Sequence, residues 1–173
     1  MPYNKKRLYI ALYPSGVANN DARKFHWAFL IGPKAESGNK ASGLRCHVKN
    51  PGLTWVYDEN KVEDVKCTVN LLARVLVAKI EDEKRLLNIL RETPVIQGDT
   101  SFTCRTWLVD ALVRIDKADP KVVGTSELDW DKIEKLAREY VGTKIDAGRY
   151  QGQGQAMRPK PTWDMTSNKE IIS

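Results

Sequence analysis

Hydrophobic positions in the first eighty residues recur at every second residue. In "RLYIALY" (7–13), Leu8, Ile10 and Leu12 fall on one side and Tyr9, Ala11 and Tyr13 on the other, the alternation of a β-strand. A second such run, 25–31, closes at Gly32-Pro33. "LRCHVKN" (44–50) predicts a short strand ended by Pro51-Gly52, and "LTWVYDE" (53–59) predicts another, the two pairing as a meander. The apolar run "TVNLLARVLVAKI" (68–80) reads as a strand from its valines and its place after several strands.

The period then changes. "EDEKRLLNILRET" (81–93) predicts a helix with acids in its first turn and Pro94 just past its end. In "FTCRTWLVDALVRID" (102–116), Cys104, Leu108, Ala111, Leu112 and Ile115 share one helical face. Thr100 or Ser101 is the expected cap, with Cys104 in the first turn. A third amphipathic helix, 129–145, carries Ile133, Leu136, Ala137, Tyr140 and Val141 on one side. The expected fold is α+β, an antiparallel sheet with helices segregated against it. One domain, 1–146, precedes a Gly/Gln/Pro-rich tail, 147–173. The tail has a disordered composition, yet Tyr150 and Trp163 give it anchors for packing along the body.

Composition narrows the class. Hydrophobic residues make up 42% of the 173 and charged residues 29%, a globular balance. No run approaches the roughly 18 apolar residues of a membrane span. The start is basic and only briefly apolar, so no secretory leader is expected and a cytoplasmic location is. Three cysteines without CxxC spacing argue against a disulfide framework. A zinc set of Cys46, His47, Cys67 and Cys104 matches no common ligand spacing, so neither metal nor cofactor is expected. The net charge of +6 favours anionic partners. The basic residues are scattered, however, and only "NKKR" (4–7) is a tight cluster. Nucleic acid, tRNA included, is compatible with this charge and not demanded by it.

Alternation places His26, Ala28 and Leu30 on one strand face and Trp27, Phe29 and Ile31 on the other. His47 shares a face with Arg45 and Lys49, while Cys46 and Val48 turn the other way, so Cys46 is a core residue. Cys104 is the candidate nucleophile. A helix N-terminus stabilises a thiolate, and its unpaired N–H groups can hold the oxyanion formed on attack at a carbonyl. One imidazole would take the thiol proton and return it to the leaving group, and the second would orient the first. The blander readings are a cysteine serving as a small core residue and strand histidines that are merely hydrogen-bonded. Trp27, Trp55 and Trp107 are expected as core or cleft lining, and Asp110 as solvated.

The order of the strand "HWAFLIG", the strand "RCHVKN" and the helix "FTCRTWLVDAL" resembles the permuted papain-like group that includes lecithin:retinol acyltransferase and the NlpC-type cysteine enzymes. The resemblance implies that His26 is the base, His47 the second histidine and Cys104 the nucleophile. Thr103 stands where those acyltransferases usually carry Asn, and their hydrophobic C-terminal anchor is missing. A broader resemblance, through "LYIALY", "HWAFLIGPK", "CHVKN", Trp55-x-Tyr57, Cys104-x-x-Trp107, Asp129-Trp130 and "GQGQ…PTWD", is to an uncharacterised family of small fungal proteins. It implies a fungal source and a place in specialised biosynthesis. The expected function is acyl or aminoacyl transfer, or amide or ester cleavage, through a Cys104 thioester, with a small molecule or an acyl donor (lipid, peptide or aminoacyl) as substrate. The alternatives are an aminoacyl-tRNA-dependent cyclodipeptide synthase and a non-catalytic binding module on the same fold.

Overall fold

The computed structural model describes residues 5–173. Residues 1–4, which open the leader reading and begin the 4–7 basic cluster, lie outside the described residues. The strands are β1 (Arg7–Pro14), β2 (Phe25–Gly32), β3 (Gly43–Lys49), β4 (Val56–Val62), β5 (Ala73–Ile80), β6 (Val123–Ser126), β7 (Thr162–Asp164) and β8 (Lys169–Ile172). The α-helices are α1 (Glu83–Glu92), α2 (Cys104–Lys117) and α3 (Trp130–Asp146). The strands form one sheet in the order β4-β3-β2-β1-β5-β7-β8, with β6 also paired to β5.

The architecture is α+β, but the sheet is mixed rather than wholly antiparallel, because β5 and β7 run parallel. A parallel neighbour requires a long crossover, and here the chain passes through all three helices between those strands. Other details differ from the sequence reading. The 68–80 run is strand only from Ala73. It begins in a turn closed by Leu71 N–H to the Thr68 carbonyl, with Asn70 at φ 64°, a conformation asparagine tolerates better than most residues. Pro51–Leu53 winds into a 3-10 turn, which moves the start of β4 to Val56. The segment 147–173 contributes β7 and β8 to the sheet, and the Tyr150 hydroxyl donates to the Leu72 carbonyl at 2.8 Å.

Both sheet faces are buried. Leu8, Ile10, Leu12, Trp27, Phe29, Ile31 and Cys46 join the apolar stripes of all three helices in one core. Tyr9, Ala11, Tyr13, Ala28, Leu30, Leu71 and Leu76 form a smaller core on the opposite face. That second face also holds Arg74, which is fully buried. Its guanidinium lies 4.2 Å from the Tyr9 ring centroid. It pairs with both carboxylate oxygens of Glu36, at 2.7 and 2.9 Å, and donates through Nε to Thr162 at 3.0 Å. One side chain thus ties the β2–β3 connection, the sheet and the C-terminal segment together. A buried charge stripped of its counterion costs more than the pair contributes. Glu36→Ala should therefore destabilise the fold by about 3–5 kcal/mol, measured by urea unfolding. The paired replacement Glu36→Leu/Arg74→Met should cost clearly less than the single one.

Candidate active site

The site begins with a fork in the sheet. The ladder between β2 and β3 pairs Ile31 with Leu44, Leu30 with Arg45 and Phe29 with Cys46. β2 continues to Phe25, but its pairing there is with β1. Side chains bridge the two strands beyond the fork: His26 Nε2 and His47 Nδ1 are 2.7 Å apart. His47 Nε2 in turn lies 3.1 Å from Asp58 Oδ2, on the β4 residue directly opposite it.

This chain of contacts fixes the tautomers. Burial works against the charge on Asp58, but the His47 hydrogen bond and the Lys49 ammonium outweigh it and hold the carboxyl below its usual range. An ionised carboxylate only accepts, so His47 carries its proton on Nε2 and donates it to Asp58. His47 Nδ1 is then the acceptor, and His26 donates to it through Nε2. The lone pair of the relay is left on His26 Nδ1. Burial, the neighbouring His47 and the Arg45 charge depress the His26 pKa to about 4. Burial also lowers His47, and the Asp58 hydrogen bond opposes that only in part. Both rings are neutral at pH 7.

Cys104 approaches from the helix side. It is the first residue of α2, and Thr103 rather than Thr100 or Ser101 is the cap. Thr103 Oγ1 accepts from Thr106 N–H at 3.4 Å, and Thr106 Oγ1 accepts from Thr103 N–H at 2.8 Å, a reciprocal capping box. A threonine therefore serves as the cap at the position where the resemblance leads one to expect asparagine. The Trp107 N–H is spent on the Thr103 carbonyl. Burial pushes the Cys104 thiol above its ordinary value, while the backbone N–H groups of Trp27, Arg105 and Cys104 itself, with the Arg23 charge, pull it back in part. Trp27 follows His26 directly, so the sulfur rests at the fork.

Cys104 and His26 line one cavity of about 570 Å³, together with Tyr13, Phe25, Trp55 and Arg45. No hydrogen bond joins the sulfur to either imidazole among the described residues, and Cys104 is 8% exposed. Trp55 lines the cavity, while Trp27 and Trp107 are core. Asp110 pairs with Arg114 at 2.9 Å on the exposed side of α2. The zinc set does not assemble: Cys46 joins the helix-side core, whereas His47 bonds His26 and Asp58 on the other face. No group of three or more His, Cys, Asp or Glu that could hold a metal occurs among the described residues. Asp58 is not among the residues that sequence reasoning singles out; its only signal is the meander pairing, and seeing it requires the register.

A family model described as a family of unknown function (DUF6914) matches residues 5–172. The chain belongs to that family. No curated protein and no solved structure matches it. No helix among the described residues is long and apolar enough to cross a membrane.

The depressed His26 pKa has a consequence for stability. An unfolded histidine takes up its proton near pH 6.5, whereas folded His26 does so only near 4. Between those values the unfolded chain binds more protons, so stability falls as pH drops from about 6.5 towards 4 and this contribution levels off below. Urea midpoints measured at pH 7 and 4.5 should show a smaller drop for His26→Gln than for wild type. Equal drops would show that His26 is not held neutral.

Proposed function

We propose that this DUF6914 chain is a cysteine-dependent acyl-transfer or amide/ester-cleaving enzyme with Cys104 as nucleophile, His26 as base, and His47 and Asp58 as positioning residues. The observation that carries the reading is the hydrogen-bonded series Asp58–His47–His26, which leaves Nδ1 unprotonated on an imidazole that lines the same cavity as Cys104. The order of a histidine on β2, a histidine on β3 and a cysteine opening α2 also supports a permuted papain-like arrangement.

The resting pair is neutral, since burial raises the thiol and lowers the imidazole. Attack therefore proceeds by general-base catalysis rather than from a preformed thiolate. Substrate entry brings sulfur and imidazole within reach, as catalytic hydrogen bonds commonly tighten only in the complex. The S–H proton passes to His26 Nδ1 as sulfur bonds to the acyl carbon. The Cys104, Arg105 and Trp27 N–H groups, which face the sulfur, would donate to the developing oxyanion. Collapse breaks the bond to the leaving group, which takes the proton from His26 and leaves a thioester. A hydroxyl, amine or water then attacks the thioester, His26 takes its proton, and the proton returns to the departing sulfur. Thiol and neutral imidazole are both restored.

A neutral acyl thioester of N-acetylcysteamine is a suitable probe. Intact-protein mass spectrometry should find one hydroxylamine-labile acyl group, mapped to Cys104 and absent from Cys104→Ser. His26→Ala should slow its formation by about 10²–10⁴-fold while keeping the wild-type far-ultraviolet spectrum. Acylation of the more exposed Cys67 at the same rate, or none anywhere, would remove the catalytic reading and leave a binding module.

A further inference from the structure

Four cations line the cavity: Arg23, Arg45, Lys49 and Arg105. Three of them are engaged. Arg105 holds both carboxylate oxygens of Glu134 at 2.6 Å, Lys49 lies 3.6 Å from Asp58, and Arg23 donates to the Thr100 carbonyl at 2.8 Å. Arg45 differs. No side-chain or carbonyl oxygen among the described residues accepts from it, and its Nε is buried without a partner. Its cross-strand neighbour Asn60 also has a buried Oδ1 without a donor, yet the guanidinium does not turn to it. It reaches instead to the Tyr13 ring, 5.7 Å from the centroid. Arg45 lies opposite Leu30 and Tyr13 lies opposite His26, with Ala28 between those two β2 residues on the same face. Arg45 and His26 both line the cavity, whereas Ala28 is buried in the smaller core.

A half-buried guanidinium with unspent donors costs free energy unless something compensates it. Its planar fork matches carboxylate and phosphate oxygens. We propose that Arg45 is the anion-binding residue of this site, and that the acyl donor carries a carboxylate or phosphate group that seats on it beside His26. The inference rests on the catalytic reading for the word donor, but anion binding at Arg45 does not need the thiol.

The test uses the full chain as Cys104→Ser, titrated with inorganic phosphate and separately with succinate at constant ionic strength, and followed by calorimetry. One of the two should bind saturably and with near 1:1 stoichiometry. Arg45→Gln in the same background should weaken that binding at least ~10-fold, while Lys40→Gln, at an exposed lysine paired with Glu63 and outside the cavity lining, should not. Stronger phosphate binding assigns a phosphorylated donor, and stronger succinate binding a carboxylated one. A second reading uses the active enzyme: Arg45→Gln should lower the ratio of kcat/KM for the succinyl thioester of N-acetylcysteamine to that for the acetyl thioester at least ~10-fold, and an unchanged ratio overturns the proposal. Should Arg45→Gln fail to fold, Arg45→Lys keeps the charge, loses the fork and should show the same direction. Absence of saturable binding of either anion, or binding unchanged in the Arg45 variants, overturns the proposal. Anion binding without any Cys104 adduct would instead sink the catalytic reading and leave the anion site standing.

Discussion

Everything at this site depends on where two neighbouring strands stop pairing. A continuous sheet separates its faces, and His26 and Cys104 belong to opposite ones. Had the β2–β3 ladder run on past Phe29 and Cys46, the backbone would wall the imidazole from the thiol. Because it ends there, the N–H of Trp27 is available to the Cys104 sulfur, and His26, one residue away, shares the sulfur's cavity. The gap is held from both sides. The imidazole pair bridges the strands on one face, and the capped end of α2 closes against them on the other. The box pairs the Thr103 and Thr106 N–H groups with each other's side chains, and the Cys104 and Arg105 N–H groups are left to the sulfur.

The charges around the fork are arranged to keep the rings neutral. Two imidazoles at hydrogen-bond distance cannot both carry a proton on the facing nitrogens, and burial disfavours charge on either. A carboxylate at the far end is enough to set the direction of the whole series, since it can only accept. The same burial raises the thiol, so the protein does not store an ion pair at rest. This marks a difference in kind from cysteine sites whose thiolate is stabilised in advance. Here thiol and imidazole both rest neutral, and on the proposed reading the proton would move only as the sulfur begins to bond.

Much of this architecture is legible in the amino-acid sequence itself. Alternation in 7–13 and 25–31 assigns the buried side chains of β1 and β2 to their observed faces, because a strand buried on both sides still obeys the two-residue period. The faces of α2 and α3 follow from the 3.6-residue period. Sequence reasoning fails where geometry is not periodic. The β5–β7 parallel pair depends on a crossover that spans three helices, and the three-residue β7 gives no pattern to read. The four residues of β6, "VGTS", likewise carry no alternation. Asp58 is invisible as a site residue because its role comes from lying opposite His47, a register that neither strand encodes alone. The cap falls on Thr103 rather than an earlier residue because several hydroxyl residues precede α2, and composition does not choose among them.

On the proposed reading, Arg45 would connect recognition to chemistry. Its charge is one reason the imidazoles resist protonation, after burial for both rings. An anion seated on the guanidinium would cancel part of that repulsion and make His26 a stronger base at the moment a donor arrives. By linkage, a protonated His26 would in turn bind the anion more tightly, and the proposed transfer of the thiol proton would reach that state. The anion would therefore favour the enzyme form that follows attack over the form that precedes it, and binding free energy remote from the acyl carbon would lower the barrier instead of only retaining the substrate. On the proposed reading, a cation without a hydrogen-bond acceptor among the described residues would cost stability in the resting protein and contribute once a donor is bound.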